Sequence, residues 1–195
     1  MALVCPYSLS RPGGVQGQEL GLARSQTAHG HLVTVFAPVD GPLRSPDGVE
    51  IVAAGHSTSL RANGSVAPVS VSPAAARRAL AELRARQPDV VHVHEPFAPG
   101  MPYALLTARD LPPLVGTFHR SGGSSFYTLL GPVARRLAAR LAVRCAVSAA
   151  AAATARAALG GTYEVLFNGI DLGQFDGVVP YPTTEIGRAS CRERV

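Results

Sequence analysis

The stretch VHVH at 91–94 alternates histidine with valine, so a strand here carries the imidazoles of His92 and His94 on one face. Such a pair could ligate a metal. No third ligand stands at metal-site spacing, however, and two polar residues at the open mouth of a site account for the pair more simply. Glu95-Pro96 follows at once and sets a carboxylate at the same rim. A third histidine, His119, ends the apolar run LVGTF at 114–118 and precedes Arg120, Ser121 and Gly122-Gly123. An imidazole at a strand end can orient a hydroxyl or take a proton; taken alone, it can equally well be a structural end to the strand. The segment PYSLSRPGGVQG at 6–17 places Gly13-Gly14 just before a helical pattern. Glycines there let the backbone approach a ligand, and the helix N-terminus offers N–H groups to an anion. The plainer alternative is a tight strand-to-helix turn. A nicotinamide fingerprint needs spaced glycines and an acidic residue ending the second strand; Asp40 is roughly placed, but Gly14-x-x-Gly17 and Pro38 do not fit it.

The elements that must position these residues alternate strand and helix. Short apolar runs at 2–5, 32–37, 49–53, 89–94, 114–118, 141–147 and 163–167 read as strands. Helical patterns fill 15–28, 101–110 and 149–159, the first closed by His29-Gly30 and the last by Gly160-Gly161. Ser72-Pro73 is an N-cap with proline at the first helical position, and that helix carries Ala76, Leu80 and Leu83 inward before Pro88. Pro132 opens another, with Val133, Leu137 and Leu141 on the expected inward stripe and Arg135, Arg136 and Arg140 off it. Ser148 caps the polyalanine helix. Strands of about five residues separated by helices specify an α/β fold, a Rossmann-like parallel sheet with helices on both faces. Ligands gather at the carboxyl ends of such strands. Those ends are where the residues above fall.

Composition narrows the classes. A hydrophobic content of 47% with 16% charged residues excludes intrinsic disorder. The net charge of +5 is carried by arginine alone, since the chain has no lysine. It permits an anionic partner without choosing one, and no aromatic-interleaved basic run of the RNA-binding kind occurs. Three irregularly spaced cysteines fit neither a disulfide scaffold nor a zinc ribbon, and a reduced, cytoplasmic compartment is expected. Arg140, Arg144 and Arg156 make 137–159 a poor membrane span, and no basic leader precedes the apolar run at 2–5. Residues 185–195, EIGRASCRERV, have no periodicity and resemble the in-frame translation of a short-read sequencing adapter. They are set aside as foreign to the fold, and the natural chain is expected to continue differently.

Taken in order, CPYSLSRPGGVQGQ at 5–18, NGSVA at 63–67, HVHEP at 92–96, TFHRS at 117–121, AVS at 146–148 and FNGID at 167–171 resemble the N-terminal half of retaining family-4 glycosyltransferases. The subgroup most similar is the actinobacterial phosphatidylinositol mannosyltransferases. The resemblance implies the N-terminal, acceptor-side domain of a two-domain GT-B enzyme over 1–176, with an interdomain linker starting over 177–184. It implies His119 as the residue at the reaction centre. It also implies an acceptor and phosphate site from Tyr7, Gly13, Gly14, Gln16, Asn63, Ser65, Glu95 and Arg120. The implied donor is a nucleotide-sugar, GDP-mannose or a UDP-sugar, with mannose favoured, and neither cofactor nor metal is implied. The implied acceptor is a hydroxyl, a phospholipid among the candidates. The implied setting is the inner face of the cell membrane, where Arg135, Arg136, Arg140 and Arg144 would meet an anionic surface; nucleic acid is not an expected partner. Three positions depart from the subgroup: Ala62 stands for a tyrosine, Pro68 for an arginine and Ser124 for a lysine. Two cations and one aromatic that would hold an inositol phosphate are thereby lost, with Arg61 and Arg120 near enough in sequence to compensate in part. Without the donor half, the domain alone is expected to be inactive. Two other classes stay open on the residues alone, a nicotinamide-binding oxidoreductase domain and a non-catalytic anion- or membrane-binding module.

Overall fold

The computed structural model describes residues 1–177 apart from 44, 47, 63, 64, 123 and 124. The expected linker beyond Gly177, the tail at 185–195 expected to be foreign, and Asn63 lie outside the described residues. Seven strands form one sheet: β1 (Ala2–Val4), β2 (Thr34–Ala37), β3 (Glu50–Ala53), β6 (Val91–His94), β7 (Leu114–Phe118), β8 (Leu141–Ala146) and β9 (Glu164–Val165). Their order is β3-β2-β1-β6-β7-β8-β9 and every neighbouring pair is parallel. An antiparallel hairpin of β4 (Thr58–Ala62) and β5 (Ser65–Val69) stands apart from it. The helices are α1 (Gly14–Ala28), α2 (Pro73–Arg86), α3 (Met101–Thr107), α4 (Ser125–Ala138) and α5 (Ala149–Leu159).

Register decides which residue meets which layer. Val4 lies beside Phe36 and Val93, and Leu3 beside Val35 and His92. Partners in register share a face of a parallel sheet. The Val4 face builds the larger core with Leu83 of α2, Leu105 of α3, Ala134 of α4 and Ala155 of α5. The Leu3 face builds the smaller core with Ala23 of α1. Helices therefore cover both faces, as expected. Growth of the sheet reverses between β1 and β6, which puts a crevice at the carboxyl ends of those strands.

The expected caps are present. Ser72 Oγ accepts from Ala75 N–H at 3.2 Å and Ser148 Oγ from Ala151 N–H at 3.1 Å, each contributing about 1 kcal/mol. Three boundaries differ for identifiable reasons. The second strand begins at Thr34, paired with Ala2, and the Leu32 side chain is 90% exposed although its carbonyl accepts from Met1 N. The last strand shrinks to two residues: Leu166 N–H reaches Ala146 O, the end of β8, and Phe167 beyond it has no ladder partner and is exposed. The helix expected to run to Asp110 stops at Thr107, whose hydroxyl bonds back to Ala104 O while Ala108 turns extended. The helix expected to open at Pro132 does so: Gly131 (φ 38, ψ −120) is not helical and separates it from a preceding helical segment that begins at Ser125, which leaves Pro132 with no need for an N–H bond.

Val133 is a correction. It is 59% exposed, and among the side chains described in that helix Ala134 and Ala138 are fully buried. The helix packs on α5, whose inward residues are Ala151, Ala152 and Ala155. Close approach of two such helices takes alanine on both sides. The hairpin of β4 and β5 has no counterpart in the sequence reading, which saw only the NGSVA motif there.

Candidate active site at the switch point

The loop after β1 is held from two sides. Ser8 N–H donates to Pro68 O at 2.9 Å, Leu9 N–H to Pro38 O at 3.0 Å, and Tyr7 bridges to Val69. Gly13 caps α1 in an extended conformation that any residue can adopt. A Cβ there would meet the Gln16 amide folded back over the first turn, so a larger residue would have to displace that side chain. Gln16 is buried, and its Nε2 donates to Ser8 O at 3.3 Å, tying the helix to the loop. Gly14 faces open space. Helix α1 starts with neither a side-chain cap nor an acidic residue in its first turn. Its leading N–H groups and the positive end of its dipole are thus left for an anion.

The histidines form one stack under the crevice. Register sets His94 beside Thr117, the residue two before His119. The His92 and His94 rings lie 4.6 Å apart, and those of His94 and His119 5.0 Å apart and nearly parallel. His92 Nε2 meets Thr117 Oγ1 at 2.6 Å, and His94 Nδ1 meets His119 Nε2 at 2.9 Å. Among the described residues, no group of three or more His, Cys, Asp or Glu is arranged to hold a metal ion.

Glu95 is placed differently from a rim carboxylate. It is buried, takes a left-handed backbone (φ 47), and its Oε1 accepts the His119 N–H at 2.7 Å. A non-glycine residue pays for that conformation with strain, which surrounding contacts must hold in place. The turn swings the carboxyl beneath the loop that carries His119. Arg120 lies close enough to Tyr7 and Glu95 for its charge to lower both of their pKa values. Tyr7 is nevertheless raised well above an ordinary phenol, by burial first and by Glu95 second. The structure therefore brings together Tyr7, Gly13, Gly14, Gln16, Glu95, His119 and Arg120 at one sheet edge. Ser65 is placed by its backbone alone, opposite Ala62 in the hairpin.

The sequence reading missed Glu19 and Thr117. Glu19 sits on the inward face of α1 between Gln16 and Ala23, fully buried, with Oε2 at 3.5 Å from His94 Nε2. Its signal was available: 16, 19 and 23 follow one helical stripe.

Burial sets the protonation states. It pulls His92 and His119 down to about 4, with the charge of His119 adding to the effect on His92, and it pulls His94 down as well. It pushes Glu19 and Glu95 up. As pH falls below 6.5, the unfolded chain protonates its imidazoles before the folded one does, so their stabilising contribution is lost between about 6.5 and about 4. The two carboxyls have the opposite sign. Their contribution is full below their unfolded value and declines as pH rises through the folded one, so they offset part of the imidazole effect. The imidazole share of the pH dependence runs toward loss of stability on acidification. His119→Asn removes one imidazole, and melting temperatures at pH 7.0 and 5.5 should differ less in the variant than in the parent. An unchanged or steeper difference would remove His119 from this group.

Three of the four arginines of 135–144 have internal work. Arg135 Nε donates to Ala158 O, Arg140 Nη1 to Leu106 O and Arg144 Nη1 to Gly160 O. Each of these carbonyls lies in the last turn of a helix or just past it, where cations are favourable. Among the described residues, no helix is long and apolar enough to cross a membrane.

Comparison with known proteins agrees with this geometry. The family described as Glycosyltransferase Family 4 matches residues 12–174. A phosphatidyl-myo-inositol mannosyltransferase of Mycobacterium tuberculosis is 35% identical over 176 residues, covering 90% of this chain and 46% of its own. The protein of that name from Mycolicibacterium smegmatis is 39% identical over 121 residues, covering 62% and 31%. The chain thus spans about half the length of the curated relatives it matches, or less. Among solved structures, WaaG, a glycosyltransferase involved in lipopolysaccharide biosynthesis, superposes with a TM-score of 0.55 at 15% identity over 92% of this chain and 48% of that one. A sucrose-phosphate synthase of Thermosynechococcus elongatus gives 0.53 at 15% identity over 88% of each. At that identity the two structures speak for the fold alone. The family match spans both the α1 N-terminus and the histidine stack, and on that ground the chain belongs to glycosyltransferase family 4, with actinobacterial phosphatidylinositol mannosyltransferases among its relatives.

Proposed function

We propose that the protein carrying this domain transfers a sugar, mannose in the first instance, from a nucleotide-sugar donor to an acceptor hydroxyl with retention at the anomeric carbon. The observation that supports this best is the meeting, at one switch point, of the open α1 N-terminus and the His119 edge. The first suits a phosphate of donor or acceptor. The second suits a sugar or acceptor hydroxyl, which a neutral imidazole can hold while the leaving diphosphate itself takes the proton. GDP-mannose leads the donors because the relatives are named mannosyltransferases; a UDP-sugar is the second choice. The reading requires neither cofactor nor essential metal. A phospholipid acceptor at an anionic membrane surface belongs to the same reading. Against inositol phosphate in particular stand Ala62 and Pro68, where the mannosyltransferases carry an aromatic and a cation. We place the donor-binding half in the part of the relatives' length that this match does not cover, so residues 1–177 by themselves are not expected to turn over.

The test is transfer by a protein that combines this domain with that remaining length. It is incubated with GDP-mannose or UDP-glucose and with phosphatidylinositol or simple polyol acceptors, and the product anomer is read by NMR. Transfer from GDP-mannose to an α-linked product is expected. Failure with every nucleotide-sugar, or inversion at the anomeric carbon, would overturn the proposal.

A further inference from the structure

Glu19 is a carboxyl with no exposed surface, on the face of α1 turned to the sheet. Neither of its oxygens meets a hydrogen-bond donor in the structure, and His94 Nε2 beside it is likewise buried and without a hydrogen bond. These two unsatisfied groups face each other at 3.5 Å. His94 is itself 2% exposed, and its other nitrogen is already engaged with His119. The titratable groups packed around the pair are Cys5 just after β1, His92 from β6 and His119 after β7. None of these is a cation that would hold a carboxylate in the interior.

We propose that Glu19 is a positioning residue: through His94 it fixes which ring nitrogen of His119 carries the proton. The inference rests on His119 being the residue at the reaction centre. An unpaired buried carboxylate is costly, so the acid stays protonated and donates. Its O–H can go to His94 Nε2. A neutral imidazole has one donor and one acceptor nitrogen, so His94 must then carry its proton on Nδ1 and donate it to His119 Nε2. His119 is left with its proton on Nδ1, the nitrogen not bonded to His94, and presents an N–H donor there. The reverse chain would need an ionised Glu19 accepting from His94. Burial disfavours that charge, and the imidazolium that could balance it is opposed by burial and by its two neighbouring histidines. One buried acid thus converts an ambiguous imidazole into a hydrogen-bond donor for a sugar or acceptor oxygen.

Long-range ¹H–¹⁵N correlation on ¹⁵N-histidine-labelled protein at pH 7 reads the tautomer directly. The parent should show His119 protonated at Nδ1 and bare at Nε2. Glu19→Gln, whose amide N–H can donate to His94 Nε2, should keep that pattern. Glu19→Met should collapse it toward an average of both tautomers. In the active two-domain enzyme, Glu19→Met should lower kcat with little change in KM for the nucleotide-sugar, and Glu19→Gln should recover most of the loss. The opposite or an averaged tautomer in the parent overturns the proposal without any variant, and so does an unchanged pattern in Glu19→Met. If the tautomer is fixed as described but His119→Ala leaves turnover intact, the chain of protons stands and the assignment of His119 to the reaction centre fails.

Discussion

His119→Ala in the active enzyme is expected to lower turnover by roughly 10²- to 10⁴-fold, the range of a positioned polar catalytic group. The fold should tolerate it. His119 belongs to neither hydrophobic core; it lies just past β7, partly buried, with its backbone N–H held by Glu95. That backbone bond survives the substitution. The main structural loss is the bond to His94 Nδ1, which leaves a buried imidazole nitrogen short of one partner. Such a loss costs about 1–3 kcal/mol at most, and water entering the vacated space can meet the nitrogen. For a chain of this size 1 kcal/mol shifts the melting temperature by roughly 2–4 °C. Turnover should therefore collapse while the melting temperature moves by a few degrees. If turnover is unchanged and melting is strongly lowered, His119 belongs to structure.

How far the sequence reveals this arrangement depends on the range over which each signal acts. Caps are local, and Ser72 and Ser148 could be read within four residues. Alternation is also local: VHVH at 91–94 correctly put His92 and His94 on one face. The parallel-sheet rule then brought the Gly13-Gly14 loop and His119 to one edge without any coordinates. Residues whose role depends on a partner far along the chain were less visible. Val133 looked inward because its spacing to Leu137 and Leu141 is helical, but the alanines of α5 select Ala134 instead. Phe167 extends an apolar run beyond the point where the neighbouring strand still offers hydrogen bonds, and Leu32 keeps a backbone bond from Met1 while its side chain is exposed. Glu19 shares a helical stripe with Gln16 and Ala23, but nothing in its neighbourhood announces that this face of α1 lies over His94. Glu95 was seen as a carboxylate at a rim. Its positive φ, which turns it beneath the loop, leaves no trace in residue type.

Glu95→Ala carries the second large expected effect, and it separates two roles for this side chain. As the structure places it, the carboxyl serves the protein: Oε1 accepts from His119 N–H at 2.7 Å, while Glu95 N–H donates to Thr117 O at 2.8 Å. Removing the carboxyl leaves the His119 N–H without its acceptor, at about 1–3 kcal/mol. The left-handed backbone is no easier for alanine than for glutamate, so its strain stays while the contact that holds it is lost. The loop carrying His119 should shift, and a displacement of about 1 Å at a reacting group can cost about 10²-fold in rate. Turnover and melting temperature should therefore fall together, the first by about 10²-fold and the second by several degrees. Glu95→Gln keeps a carbonyl oxygen that can accept the same N–H, and should retain most of both. A carboxylate that instead bound the acceptor directly would give another pattern. Gln and Ala would then behave alike, KM for the acceptor would rise, and the melting temperature would hold. Measuring kcat, KM and melting on the two variants decides between a clamp on the His119 loop and a contact to substrate.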